Sequence, residues 1–83
     1  MAAQRGERAI KPWNERFRDR RRALDRSQEF IAERAKITQQ AISRFEHGAV
    51  VPRISTLERL AFALDTTREE LFPMEAAPRS KAS

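Results

Sequence analysis

The sequence predicts an all-α fold, a compact domain of five short helices, and three observations carry that expectation. Apolar residues recur at helical spacing between residues 12 and 74, with no strand-like alternation of any length. Ser27, Thr38 and Thr67 stand where a hydroxyl can cap a following helix, and Gly48, Pro52 and Pro73 stand where helices stop. A chain of 83 residues supports one modest core and no second domain.

The first helix is expected to start near Pro12 or Asn14 and to end near Asp25. Trp13, Phe17 and Leu24 form its apolar stripe, with Arg20 and Arg21 occupying the gap. Ser27 caps a second helix over 28–35 that buries Ile31, Ala32 and Ala35. Thr38 opens a third, which carries Ile42 and Phe45 and stops at Gly48. The stretch 49–53 cannot be helical throughout, because Pro52 disfavours the helical conformation at Val51. The fourth helix, 55–64, has the clearest pattern: Leu57, Leu60, Ala61 and Leu64 follow i, i+3, i+4, i+7. Thr67 and Glu70 form a capping box for a short fifth helix holding Leu71 and Phe72, closed by Pro73. Residues 1–11 read as a flexible basic arm, 12–74 as the folded domain and 75–83 as a disordered tail.

Charge divides unevenly along the chain. Residues 1–26 hold nine Lys/Arg against four Asp/Glu, whereas residues 27–83 hold eight of each. Of the seventeen cations fourteen are arginine, whose planar fork matches phosphate and stays charged at any working pH. A basic first third points to a polyanion, most often nucleic acid, with an anionic membrane surface as a weaker option and a solvated helix face without a partner as the bland alternative. The absence of cysteine excludes disulfides and thiol chemistry, and a single histidine, His47, removes most catalytic triads and His-rich metal clusters from consideration. Neither a catalytic residue, a cofactor nor a metal site is expected, so the chain reads as a binding module and not an enzyme. No apolar run approaches the ~20 residues of a membrane span.

The segment Gln28–Glu46 narrows the reading. Two helices separated by Lys36-Ile37-Thr38 must cross steeply, with Ala32 at the contact and Ile31, Ile37 and Ile42 around the turn. That is the construction of a helix-turn-helix, whose second helix enters the DNA major groove. Its outward residues are Gln39, Gln40, Ser43 and Arg44; glutamine pairs with adenine and arginine with guanine. On spacing alone, a plain αα-hairpin with a polar exposed face reads equally well.

The run SQEFIAERAKITQQAISRFEHGAVVPRISTLERLAFALDTTREELF, with the first helix, resembles the phage-repressor family of helix-turn-helix proteins (Cro/cI-type, XRE family) over about residues 13–72. The matching pieces are Ser27-Gln28-Glu29, Ala32, Ile37-Thr38, Ile42-Ser43-Arg44, Glu46-x-Gly48, Pro52 and the Leu57…Leu60-Ala61…Leu64…Glu70-Leu71-Phe72 ending. The resemblance implies a five-helix, lambda-repressor-like DNA-binding domain. It implies base contacts from Gln39, Gln40, Ala41 and Arg44, with Ala41 facing a thymine methyl. Backbone contacts fall to Gln28, which would also brace Gln39, and to Ser43 and the loop ending at Arg53. Thr38, at the mouth of the reading helix, and Arg18 and Arg22, on the first helix, are further expected phosphate contacts. Arg21 matches a family arginine whose partner is Glu46. That pair has its own rationale: Arg21 lies on the apolar stripe and Glu46 at a helix C-terminus, where each alone is unfavourable.

This sequence departs from the family pattern at three positions. Lys36 stands where glycine is usual, in a turn needing a left-handed residue. Arg26 and Arg20 stand where apolar residues are usual. A looser corner at Arg26 and a phosphate role for Arg20 are the corresponding expectations.

The leading functional expectation is a sequence-specific transcriptional regulator, a dimeric repressor of a palindromic operator in double-stranded DNA. It would act without cofactor in a bacterial or phage context, in the cytoplasm and on the nucleoid. The resemblance places the homodimer interface around Thr66, Leu71, Phe72 and Met74. Alternatives are an antitoxin or adaptor that chiefly binds a protein partner, and an RNA binder using the Arg16–Arg22 helix. Trp13 is expected to pack, and His47 to cap carbonyls. Phe62, opposite the fourth helix's stripe, is a dimer contact or an idle exposed ring. Arg5, Arg8 and Lys11 track a groove or are idle.

Overall fold

A computed structural model of the chain describes residues 11–77. Its elements are α1 (Trp13–Ala23), α2 (Gln28–Ala35), α3 (Gln39–Glu46), α4 (Ile54–Ala63) and α5 (Arg68–Leu71), then one 3-10 turn at Met74–Ala76. This is the all-α, five-helix fold that the sequence predicts. The arm positions 1–10 and tail positions 78–83 lie outside the described residues. The tail expectation began too early, because Ala76 is buried against the core.

The three expected hydroxyl caps all form. Ser27 Oγ accepts from Phe30 N–H at 3.0 Å, Thr38 Oγ1 from Ala41 N–H at 3.0 Å and Thr67 Oγ1 from Glu70 N–H at 3.2 Å. Each satisfies one backbone donor that the helix itself cannot. The capping box at Thr67 is only half made: the Glu70 carboxylate accepts from the Thr66 hydroxyl at 2.9 Å. α4 starts at Ile54, one residue early, without a side-chain cap.

The helix exits repeat one device. Asp25, Lys36, Gly48 and Asp65 are left-handed, with φ of 56°, 60°, 79° and 57°. At each, the next N–H reaches back across the last turn: Arg26 to Arg21, Ile37 to Ala32, Ala49 to Arg44 and Thr66 to Ala61, at 2.9–3.1 Å. This closure satisfies terminal carbonyls and turns the chain sharply. Only one of the four is glycine; aspartate tolerates this conformation better than lysine does.

α2 packs on α3 and α4, and α1 closes over α3 and α5. Phe17, Ile31, Ile42, Leu57, Leu60, Leu64 and Phe72 are the large side chains sealed at the centre. Rings run through it in sequence: Trp13 against Phe72 at 5.8 Å, Phe72 against Phe45 at 6.0 Å and Phe45 against Phe17 at 5.4 Å. Trp13 is thus a packing residue, and its Nε1–H donates to Pro73 O at 2.9 Å.

Arginines of α1 and of the turn that follows it are spent inside the fold. Arg16 donates to the carbonyls of Leu71 and Glu70, both at 2.8 Å. Arg20 donates to Leu64 O at 3.1 Å and Asp65 O at 3.2 Å. Arg26 donates to Ala63 O at 2.9 Å and pairs with the Asp65 carboxylate at 2.9 Å. The three guanidiniums therefore cap the C-termini of α4 and α5, where orphan carbonyls and the helix dipole favour a cation. Arg20 is a structural clasp in this fold, where a phosphate role was expected, and Arg26 ties its corner down where a looser one was expected. Lys11 pairs with Asp19 at 2.7 Å, an exposed contact that raises the lysine pKa and lowers that of the aspartate, chiefly through the hydrogen bond.

Candidate nucleic-acid interface

The turn between α2 and α3 sets the site. Lys36 at φ 60°, ψ 45° ends α2, and Thr38 caps α3 two residues later, so the turn between them has no slack. α3 then buries Ile42, Phe45 and Glu46 and presents Gln39, Gln40 and Arg44 to solvent, with Ala41 and Ser43 half-buried. Of the sequence-predicted base-contact residues, Gln39, Gln40 and Arg44 are thus exposed and Ala41 half-buried, beginning at the N-terminus of a helix locked from behind.

The lock is a hub on Glu46, which is only 4% exposed. Arg21 Nε donates to Oε2 at 2.6 Å and Arg21 Nη2 to Oε1 at 3.0 Å, a two-pronged, charge-assisted pair. Gln28 Nε2 donates to the same Oε1 at 3.0 Å, and Asn14 Nδ2 to the Glu46 carbonyl at 3.2 Å. Arg21 Nη1 donates to Arg26 O at 2.9 Å. A carboxylate removed from water needs this many partners. One side chain of α3 is thereby tied to α1 and to the first residue of α2, which fixes the orientation of α3 against both. Gln28 is turned toward Glu46, whereas the resemblance had it bracing Gln39.

Around this head, Thr38 and Arg53 are exposed at the starts of α3 and α4, Arg22 is exposed on α1 and Arg18 is half-buried, its Nε enclosed without a partner. His47 Nδ1 lies 2.8 Å from Ser43 O, closing the last turn of α3. The N-terminus of α2 adds the backbone N–H groups of Gln28 and Glu29, which by position have no intrahelical acceptor.

The expected dimer residues separate. Leu71 and Phe72 are 5% and 1% exposed, because the domain needs them in its own core, where Phe72 lies between the Trp13 and Phe45 rings. They are corrected from interface to core. Met74 is 75% exposed and Thr66 half-buried. Sequence reasoning missed the exposed apolar run Val50, Val51 and Ile54 beside Pro52. Pattern alone could not mark it, since a loop between two helices has no periodicity to violate.

Among the described residues, no three metal-ligating side chains cluster and no helix is long and apolar enough to cross a membrane.

A family model described as a helix-turn-helix domain matches residues 15–72. Among solved structures, the chain is similar to the restriction-modification controller protein C.AhdI from Aeromonas hydrophila, with TM-score 0.70 and 30% identity over 72% of this chain and 91% of that one. It is similar to the P22 c2 repressor in complex with a synthetic operator, with TM-score 0.70 and 26% identity over 77% and 97%. The DNA-binding domain of the P22 c2 repressor in solution shares the fold, with TM-score 0.73 and 24% identity over 84% and 92%. A search of curated proteins returns no match.

Proposed function

The chain belongs to the helix-turn-helix domain family, and from that membership we propose that it is a sequence-specific regulator of transcription that binds double-stranded DNA. The observation that carries the proposal is the exposed face of Gln39, Gln40 and Arg44 on a helix anchored through buried Glu46. A helix entering the major groove by its N-terminal end brings those positions to base edges. The amides of Gln39 and Gln40 can donate to adenine N7 and accept from its N6 amino group, Arg44 supplies the fork for guanine and Ala41 a methyl surface for thymine. Thr38, Ser43, Arg53, Arg18 and Arg22 hold the phosphates. Gln28 contributes through the free N–H groups at the start of α2, or by releasing Glu46.

The active form is a homodimer on a palindrome, acting as a repressor. One recognition helix contacts too few bases to outcompete genomic sites, and a two-fold dimer about doubles the specific energy. Thr66 and Met74 are its contact residues near α5. The restriction-modification controller and the phage repressor among the similar structures support this reading.

Selection of bound sites from random duplexes tests it, and a palindromic consensus is expected. On that site Gln40→Ala and Arg44→Ala should each lose about 1–3 kcal/mol of discrimination against scrambled DNA. Arg18→Ala and Arg22→Ala should weaken both duplexes alike, because phosphates look the same in every sequence. Equal losses on both duplexes for the Gln40 and Arg44 variants would show that α3 is not the reading helix.

A further inference from the structure

The face formed by α2 and α4 carries a feature that DNA reading does not use. Four side chains alternate there. Arg26 lies over the Phe30 ring at 5.1 Å, while Arg34 lies over Phe30 at 5.7 Å and over Phe62 at 5.3 Å. Asp65 holds both arginines, at 2.9 Å and 3.7 Å. The stack fixes the Phe62 ring yet leaves it 65% exposed, so the ring is preorganised without serving the core.

Beside it lies a shallow, open depression of about 600 Å³, lined by Arg34, Lys36, Ser55, Glu58, Arg59 and Phe62. Arg34 is held by Asp65 and Glu58 faces Arg68 at 3.7 Å, whereas Lys36 and Arg59 pair with no carboxylate among the described residues. An immobilised aromatic plate next to two uncommitted cations is a recognition chemistry: apolar contact flanked by negative charge.

We propose that this face docks an acidic segment of a partner protein, seating an aliphatic or aromatic side chain on Phe62 and carboxylates against Lys36 and Arg59. The surroundings select that occupant over others. A depression this open cannot enclose a small molecule, which needs most of its surface buried. The chain's own ends are unsuited: residues 1–10 carry Arg5 and Arg8 against Glu7, and residues 78–83 carry Arg79 and Lys81 with no acid. None of Gln39, Gln40, Arg44 and Arg53 lines the depression, so the two proposed sites share none of these residues. The inference stands independently of the DNA-reading proposal.

The test titrates the isotopically labelled full chain with three synthetic peptides: one with tryptophan between glutamate pairs, one with those glutamates changed to glutamine, and one with the tryptophan changed to alanine. Amide shifts from the first should fall within 34–36 and 55–62, and the other two should bind more weakly. Phe62→Ser and Arg59→Glu should each weaken the acidic peptide by about tenfold or more. Arg59 is exposed and carries the test alone should Phe62→Ser fail to fold. Equal binding of the three peptides, shifts elsewhere or indifference to both substitutions would overturn the proposal. So would a fall in duplex-DNA affinity for Arg59→Glu or a changed sedimentation mass for Phe62→Ser, which would give the face to DNA or to self-association.

Discussion

Replacing Arg21 by methionine strands the most deeply buried charge of the described fold. Glu46 would keep only the Gln28 amide, since Asn14 reaches its carbonyl and not its carboxylate. Two charge-assisted bonds disappear, and Arg26 O loses its guanidinium donor. Breaking a buried pair by removing one partner costs about 3–5 kcal/mol. The lower end applies here, because the Arg21 side chain retains 13% of its exposure and water can follow the methionine in. A loss of about 3 kcal/mol compares with the roughly 5–15 kcal/mol total of a native domain. At about 4–8 °C per kcal/mol for a domain of this size, the midpoint should fall by some ~12–24 °C. Thermal and urea unfolding followed by circular dichroism measure it. Arg21→Met combined with Glu46→Gln should recover part of the loss, because the neutral amide no longer needs a counter-charge. A coupling of ~1–3 kcal/mol is expected, and costs that add within ~0.5 kcal/mol would refute the hub as an energetic unit.

Lys36→Gly should stabilise the domain by up to about 1 kcal/mol, because a lysine Cβ is strained at φ 60°; a lower melting temperature would show that the side chain's own contacts outweigh the strain. Arg20→Met should cost about 1–2 kcal/mol by uncapping α4 while leaving the salt slope of DNA binding unchanged. Arg22→Ala should do the reverse, and a shallower slope for Arg20→Met would return that arginine to the phosphates. Phe72→Ala should cost about 3–5 kcal/mol as a core deletion, whereas Met74→Ala should leave the melt unchanged and weaken dimers in a sedimentation dilution series. Dimers indifferent to Met74→Ala would move the interface away from this turn.

What the sequence discloses and what it conceals separate by range. Ser27, Thr38 and Thr67 are legible as caps because the donor each satisfies lies three residues away. Leu57, Leu60 and Leu64 are legible because one helix's period is a local property. Arg21 and Glu46 are legible as a pair through the family resemblance, which the awkward position of each by itself supports. The destinations of Arg16, Arg20 and Arg26 are not legible: their carbonyl acceptors lie 55, 44 and 37 residues away, and an arginine on a helix looks the same whether it meets solvent, phosphate or a helix end. Leu71 and Phe72 fail for a related reason. Apolarity says that a residue will be covered, but not by which surface. The Gln28 amide belongs here too, because its choice of Glu46 over Gln39 depends on how deeply the α3 carboxylate is sunk.

The indole that donates to Pro73 across sixty positions of chain has a use of its own. Trp13 is the sole tryptophan, sealed against Phe72, so intrinsic fluorescence observes a single place: the seam where the first helix meets the turn after the last. Ultraviolet ellipticity, by contrast, averages over every helix. If the seam parts together with the α2–α3 unit, the two optical signals fall on one curve in denaturant. If the ends of the domain open first, emission shifts to the red while helicity persists, and the molecule carries its own gauge of that early step.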